Sequence, residues 1–129
     1  MYKSYGAYIN EEAHGDRQVT LLSTGSEMSI IREAQKKLAD EGIAAAVVSM
    51  PCWELFDLQP QHYREDVLGP GVLRVAIEAA GGFGWEKYIG FDGVALTING
   101  FGASAPIDDL YKHFNLTSDA VVEAVKQRL

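Results

Sequence analysis

The chain has 129 residues, 47% hydrophobic and 22% charged, and its 11 Lys and Arg stand against 18 Asp and Glu for a net charge of -7. That is the profile of one globular domain over residues 1–129, and the acidic balance excludes a phosphate-neutralising face for nucleic acid and opposes docking on an anionic membrane. One cysteine, Cys52, permits no internal disulfide and no apolar run approaches the ~20 residues of a membrane span, so a reducing, cytoplasmic setting is expected.

Residues 6–9 (GAYI) alternate as a short edge strand would, and the polar EEAHGDRQ that follows reads as a turn. Residues 19–23 (VTLLS) form a compact strand that stops at Thr24, Gly25 and Ser26, where helical periodicity begins. Met28, Ile31, Gln35 and Leu38 define one helix face, Glu33 and Lys37 pair at i, i+4 on the other, and Gly42 ends the helix. Residues 43–50 (IAAAVVSM) are apolar almost throughout, which predicts a strand buried on both faces of a parallel sheet.

Pro51 closes that strand, and two short helices are expected at 54–57 and, opening at Pro60, at 61–66. A third strand at 72–77 (VLRVAI) leads into a glycine loop at 81–84, and a fourth strand follows at 94–98 (VALTI). A helix from Pro106 reaches His113, and Thr117 or Ser118 caps a last amphipathic helix carrying Ala120, Val121, Ala124, Val125 and Leu129. Strands of buried character alternating with helices predict a three-layer α/β/α sandwich on a mainly parallel sheet, with GAYI adding a fifth strand at one edge.

Thr24, Gly25 and Ser26 sit where a strand's carboxyl end meets a helix N-terminus, a place suited to an anion. Simple capping is the stronger reading there, with Ser26 as cap, Gly25 making the turn and Glu27 complementing the dipole. Neither GxGxxG nor GxxxxGK[ST] occurs, which removes the dinucleotide and P-loop readings. The run Gly81, Gly82, Phe83, Gly84 has no lysine or arginine before Lys87 to neutralise a bound phosphate. Phe83, Trp85, Tyr88 and Phe91, with Trp53, Phe56 and Phe101, weight the loops with aromatics, and a partner surface and the domain's own core stay open as their destination.

Catalytic sets are scarce. Cys52 and His62 as nucleophile and base are a weaker reading than an inert packed thiol, and Ser104 lacks the GxSxG elbow. Glu54, Asp57, Glu65 and Asp66 read as solvated helix faces, Glu78 as an acid that caps a turn, and His113 as a complement to its helix dipole. His14, His62 and His113 are too scattered to nucleate a metal site.

Read together, LLSTGSEMSI, VVSMPCWELFDLQP, YREDVL, FGWEKYIG and FGASAPIDDLYKHFNLT resemble the C-terminal domain of transketolase, in matching order across nearly the whole chain. The resemblance implies a mixed five-stranded sheet with one antiparallel strand, GAYI. It also implies ketol transfer between sugar phosphates by the complete enzyme, a homodimer that uses thiamine diphosphate and a divalent cation, Mg or Ca, held by its first two domains. The family's GDG cofactor motif is only echoed by Gly90, Phe91, Asp92 and Gly93. No catalytic, cofactor-binding or metal residue is therefore assigned to this chain, and its implied role is architectural. The segments expected to touch the other domains or the second subunit carry Phe83, Trp85, Tyr88, Phe101 and Ser104. Thr24, Gly25 and Ser26 stay the candidate anion site, and a free-standing regulatory module binding a phosphorylated metabolite there is the second hypothesis. Gly81 and Gly82 stand where relatives are expected to carry a bulkier or hydroxylated pair.

Overall fold

The computed structural model describes residues 5–25, 27–78, 84–90, 92–97 and 117–129. Five strands form one sheet: β1 (Tyr8–Glu11), β2 (Val19–Ser23), β3 (Ala45–Ser49), β4 (Leu73–Glu78) and β5 (Val94–Thr97), in spatial order β1-β3-β2-β4-β5. β1 pairs antiparallel with β3, with a register shift between Ile9 and Glu11, and the other pairings are parallel. Each residue of β2 and β3 is buried, as the unbroken apolar runs predict for strands covered on both faces.

Strand alternation sorts the side chains into two cores. Val19 and Leu21, Ala45 and Val47, and Val75 and Ile77 share one face with Ile31, Ala34 and Leu38 of helix α1 (Met28–Asp40) and Val121 and Val125 of helix α5 (Ser118–Arg128). Leu22, Val48 and Ala76 share the other with residues of α2 (Trp53–Asp57), α3 (Gln61–Leu68) and α4 (Glu86–Ile89). This is the expected three-layer sandwich. Among the described residues no helix is long and apolar enough to cross a membrane.

The ends of the elements follow from local chemistry. Gly42, at φ 80°, lets the chain leave α1 while the Ile43 N–H bonds the Leu38 carbonyl at 2.9 Å. Thr117 caps α5 by accepting the Ala120 N–H at 3.1 Å. Lys37 joins α1 to α5 through Ser118 at 2.8 Å and Asp119 at 2.7 Å while keeping its expected partner Glu33 at 3.3 Å.

Three expectations change. The paired part of the edge strand is Tyr8–Glu11, because Gly6 and Ala7 are taken up against α2 instead. α4 was read as loop: the spacing of Trp85, Tyr88 and Ile89 is one helical turn, too short for periodicity to show. Leu129, placed on the apolar stripe of the last helix, is 56% exposed beyond its C-terminal end. The helix expected from Pro106 to His113 lies outside the described residues.

Candidate functional site

The chain reverses direction across the sheet between β2 and β4: α1 carries it outward from β2 to β3, and α2 and α3 carry it back to β4. In such sheets the crevice beyond the carboxyl ends at this switch point is where ligands bind. Here it holds the candidate residues Thr24 and Gly25, while Ser26 lies outside the described residues.

Two of the chain's own acids lie at this place. Thr24 donates its hydroxyl to Oε2 of Glu78, which is only 7% exposed at the end of β4. Ser23 accepts the Gly25 N–H at 3.3 Å and donates its hydroxyl to Oε2 of the fully buried Glu27 at 3.3 Å. Glu27 is also the first residue of α1's boundary, and its carbonyl accepts the N–H groups of Ile30 and Ile31. Two acidic side chains thus lie at the carboxyl ends of β2 and β4 and the start of α1, each hydrogen-bonded to a hydroxyl of the β2 end. Glu27 stands at the N-cap position of α1 without a side-chain capping bond, and both it and Glu78 are buried rather than exposed.

A second constellation lies under the loops on the α2, α3 and α4 side. Trp53 stacks edge-on against Trp85 at 4.8 Å and against Tyr88 at 5.1 Å between ring centroids. Phe56 approaches Tyr88 at 6.1 Å and Tyr63 at 6.4 Å. Gly84 adopts φ +89°, and a Cβ there would meet the Trp53 ring at 3.0 Å, so the glycine of this turn is required by close approach. Asp57 receives the Tyr88 hydroxyl at 3.0 Å and the Lys87 ammonium at 2.6 Å. Burial first, and then the Asp57 carboxylate, push the Tyr88 phenol well above its ordinary pKa. The indole N–H groups of Trp53 and Trp85 are buried without a hydrogen-bond partner among the described residues.

This geometry corrects two of the interface residues. Trp85 is fully buried and Tyr88 is 3% exposed, both inside the domain's own core, so they offer no surface to a partner and act as the packing beneath one. The physical reason is the short helix α4, which turns Trp85 and Tyr88 inward together. Phe83, Phe101, Ser104, Phe91, Gly81, Gly82 and His113 lie outside the described residues. Asp57, read as solvated, is instead a bridge between α2 and α4. Cys52 is half-buried with its thiol 3.5 Å from Glu54, and His62 is exposed on α3.

Arg74 is a charge inside an otherwise apolar stretch of β4. Its guanidinium donates to the carbonyls of Leu68 at 3.1 Å, Gly69 at 3.0 Å and Tyr88 at 2.8 Å, tying β4 to the ends of α3 and α4. Arg17 does similar work nearby, bonding the Val67 carbonyl at 3.0 Å and Glu12 at 2.8 Å.

Among the described residues no group of three or more His, Cys, Asp or Glu could hold a metal ion. Asp92 of the GDG echo is exposed beside Gly93, whose Cβ position is blocked by the Ile89 backbone.

A mixed five-stranded sheet covered on both faces by helices defines an α/β sandwich domain. Residues 6–117 match the family model described as the transketolase-like TK C-terminal domain, and the chain belongs to that family. It is 56% identical over 118 residues to a transketolase of Sinorhizobium medicae, covering 91% of this chain and 17% of that protein. To the chloroplastic transketolase of Solanum tuberosum it is 47% identical over 124 residues, covering 95% of this chain and again 17% of the relative. The solved transketolase of Leishmania mexicana superposes with a TM-score of 0.90 at 42% identity, over 98% of this chain and 18% of that one. A chain described as a split gene transketolase, an inactive β4 tetramer, shares the fold with a TM-score of 0.76 at 24% identity and is covered to 43%. The chain thus spans less than a fifth of the length of its curated relatives and corresponds to their C-terminal portion.

Proposed function

We propose that the chain serves as the C-terminal structural and interface domain of a thiamine-diphosphate-dependent transketolase and is inactive alone. The observation that carries this reading is the family match over residues 6–117, in a fold whose ligand crevice is occupied by Glu78 and Glu27. In this reading, ketol transfer between sugar phosphates in the pentose phosphate pathway or Calvin cycle, and the diphosphate with its Mg or Ca ion, are assigned to the rest of a homodimeric enzyme, outside the matching residues 6–117. The thiamine ring supplies the carbanion chemistry when bound there, and this chain's residues contribute packing and subunit shape. A cytoplasmic setting accords with the half-buried free thiol of Cys52.

Calorimetry with thiamine diphosphate and Mg²⁺ tests it: the 129-residue chain gives no isotherm, and micromolar binding overturns the reading. The competing role, a regulatory module holding a phosphorylated metabolite at Thr24, Gly25 and Ser26, is opposed by the two buried carboxylates beside the first two of those residues. Phosphate titration followed by amide NMR decides it, because binding there must move the Gly25 and Glu27 signals.

A further inference from the structure

The route by which the chain enters this domain marks a surface that the aromatic loops do not. Before β1 begins, Gly6 lies directly on α2. Its carbonyl accepts the Cys52 N–H at 3.0 Å, and a Cβ at Gly6 would run into the Cys52 carbonyl and the Phe56 backbone and come within 2.9 Å of the Leu55 Cβ. The Tyr63 hydroxyl bonds the Ala7 carbonyl at 2.8 Å and the Tyr5 ring meets Tyr63 edge-on at 5.0 Å, so the entering chain is pinned against α2 and α3 from Tyr5 onward.

α2 turns Trp53 and Phe56 into the core and leaves Leu55 outside, together with Leu58 at its C-cap. Leu58 is 78% exposed and Leu55 40%, and with Leu129 at the chain's end they are the exposed large hydrophobics among the described residues. A single exposed leucine is ordinary, but two on one short helix, beside the point where a preceding domain must emerge, form a site with a defined neighbour. In the relatives, more than four-fifths of the polypeptide lies outside the matching portion, and this portion is the C-terminal domain. Tyr5, the first described residue, lies against Tyr63, and Gly6 after it lies against Leu55, so a preceding domain connects to this one beside α2.

We infer that Leu55 and Leu58 on α2 form the docking face for the domain that precedes this one in a transketolase subunit, in the same chain or in a separate one. This rests on the function proposed above. It moves the interface away from Trp85 and Tyr88, whose buried rings support α2 from beneath. The occupant is an apolar surface, since Leu58 has no polar group to recognise anything else.

The test compares the 129-residue chain with a chimera in which it replaces the matching portion of the Sinorhizobium medicae transketolase. Hydroxyl-radical footprinting reads oxidation of Leu55 and Leu58 in each at equal concentration. Severalfold slower oxidation of both leucines in an active chimera supports the inference, and Leu58→Asp then lowers the chimera's Tm while leaving that of the isolated chain unchanged. An active chimera in which both leucines oxidise at the isolated rate overturns the docking face alone. A chimera that assembles no transketolase activity overturns the proposed function and this inference with it. Protection that grows with concentration in the isolated chain assigns the face to a second copy, and equally overturns it.

Discussion

Thr24 donates its hydroxyl to Glu78 from 54 residues away, joining the carboxyl ends of two neighbouring parallel strands where the sheet changes direction. The position that would open to a ligand is closed by a hydrogen bond to a buried acid. A hydrogen bond to a charged group contributes about 1.5–3 kcal/mol, and Glu78 has a further partner, so Thr24→Val is expected near the lower end of that range. Urea unfolding should show a lower midpoint with an unchanged slope, and Thr24→Ser, which keeps the hydroxyl, should restore most of the loss.

Gly6 and Gly15 both have positive φ, at 86° and 104°, yet their surroundings differ. A Cβ at Gly15 meets nothing within 4 Å, whereas at Gly6 it enters the backbone of α2. Gly15→Ala should therefore cost only the ~1–2 kcal/mol of a left-handed alanine. Gly6→Ala adds a collision that the entering chain relieves only by leaving α2, and its thermal unfolding should fall far below that of Gly15→Ala. Equal losses would place Gly6 away from α2.

The raised Tyr88 phenol has a definite consequence for pH. Its ordinary value is 10.0 and burial with Asp57 holds it higher in the folded state, so the folded protein keeps a proton that the unfolded chain releases. The contribution is complete below pH 10 and declines as pH rises above it. Wild type compared with Tyr88→Phe should show a constant stability difference from pH 7 to about 9.5, then a shift against wild type at higher pH. A difference that stays flat through pH 11 would contradict the buried phenol.

Thr117 accepts the Ala120 N–H at the start of α5, whose Val121 and Val125 complete one core. Thr117→Ala should cost about 1 kcal/mol and Thr117→Ser little, measured by the denaturant midpoint.

The central strands could be read from composition because burial on both faces leaves no polar alternation to confuse with a surface strand: VTLLS and AAVVS are buried at each position. Helices α1 and α5 were visible for the complementary reason, a one-sided apolar stripe with a stop at Gly42 and a cap at Thr117. α4 was not, because one turn carries no repeat. At the crevice the TGSE motif identified the place but not its character. Glu27 and Glu78 are polar letters that read as surface or cap, and only the pairing of β2 with β4 brings the second of them to Thr24.

Residue pattern alone therefore settles the layers, the parallel sheet and the family, since these depend on periodicity and on motifs contiguous in the chain. Which way Trp85 and Tyr88 face, where the entering chain lies, and that the switch-point crevice is closed by Glu78 were decided by contacts between distant residues. Such contacts depend on strand order and on the crossing of short helices, and neither quantity has a local signature. A buried acid and a solvated one are the same letter until the fold places a neighbour beside it.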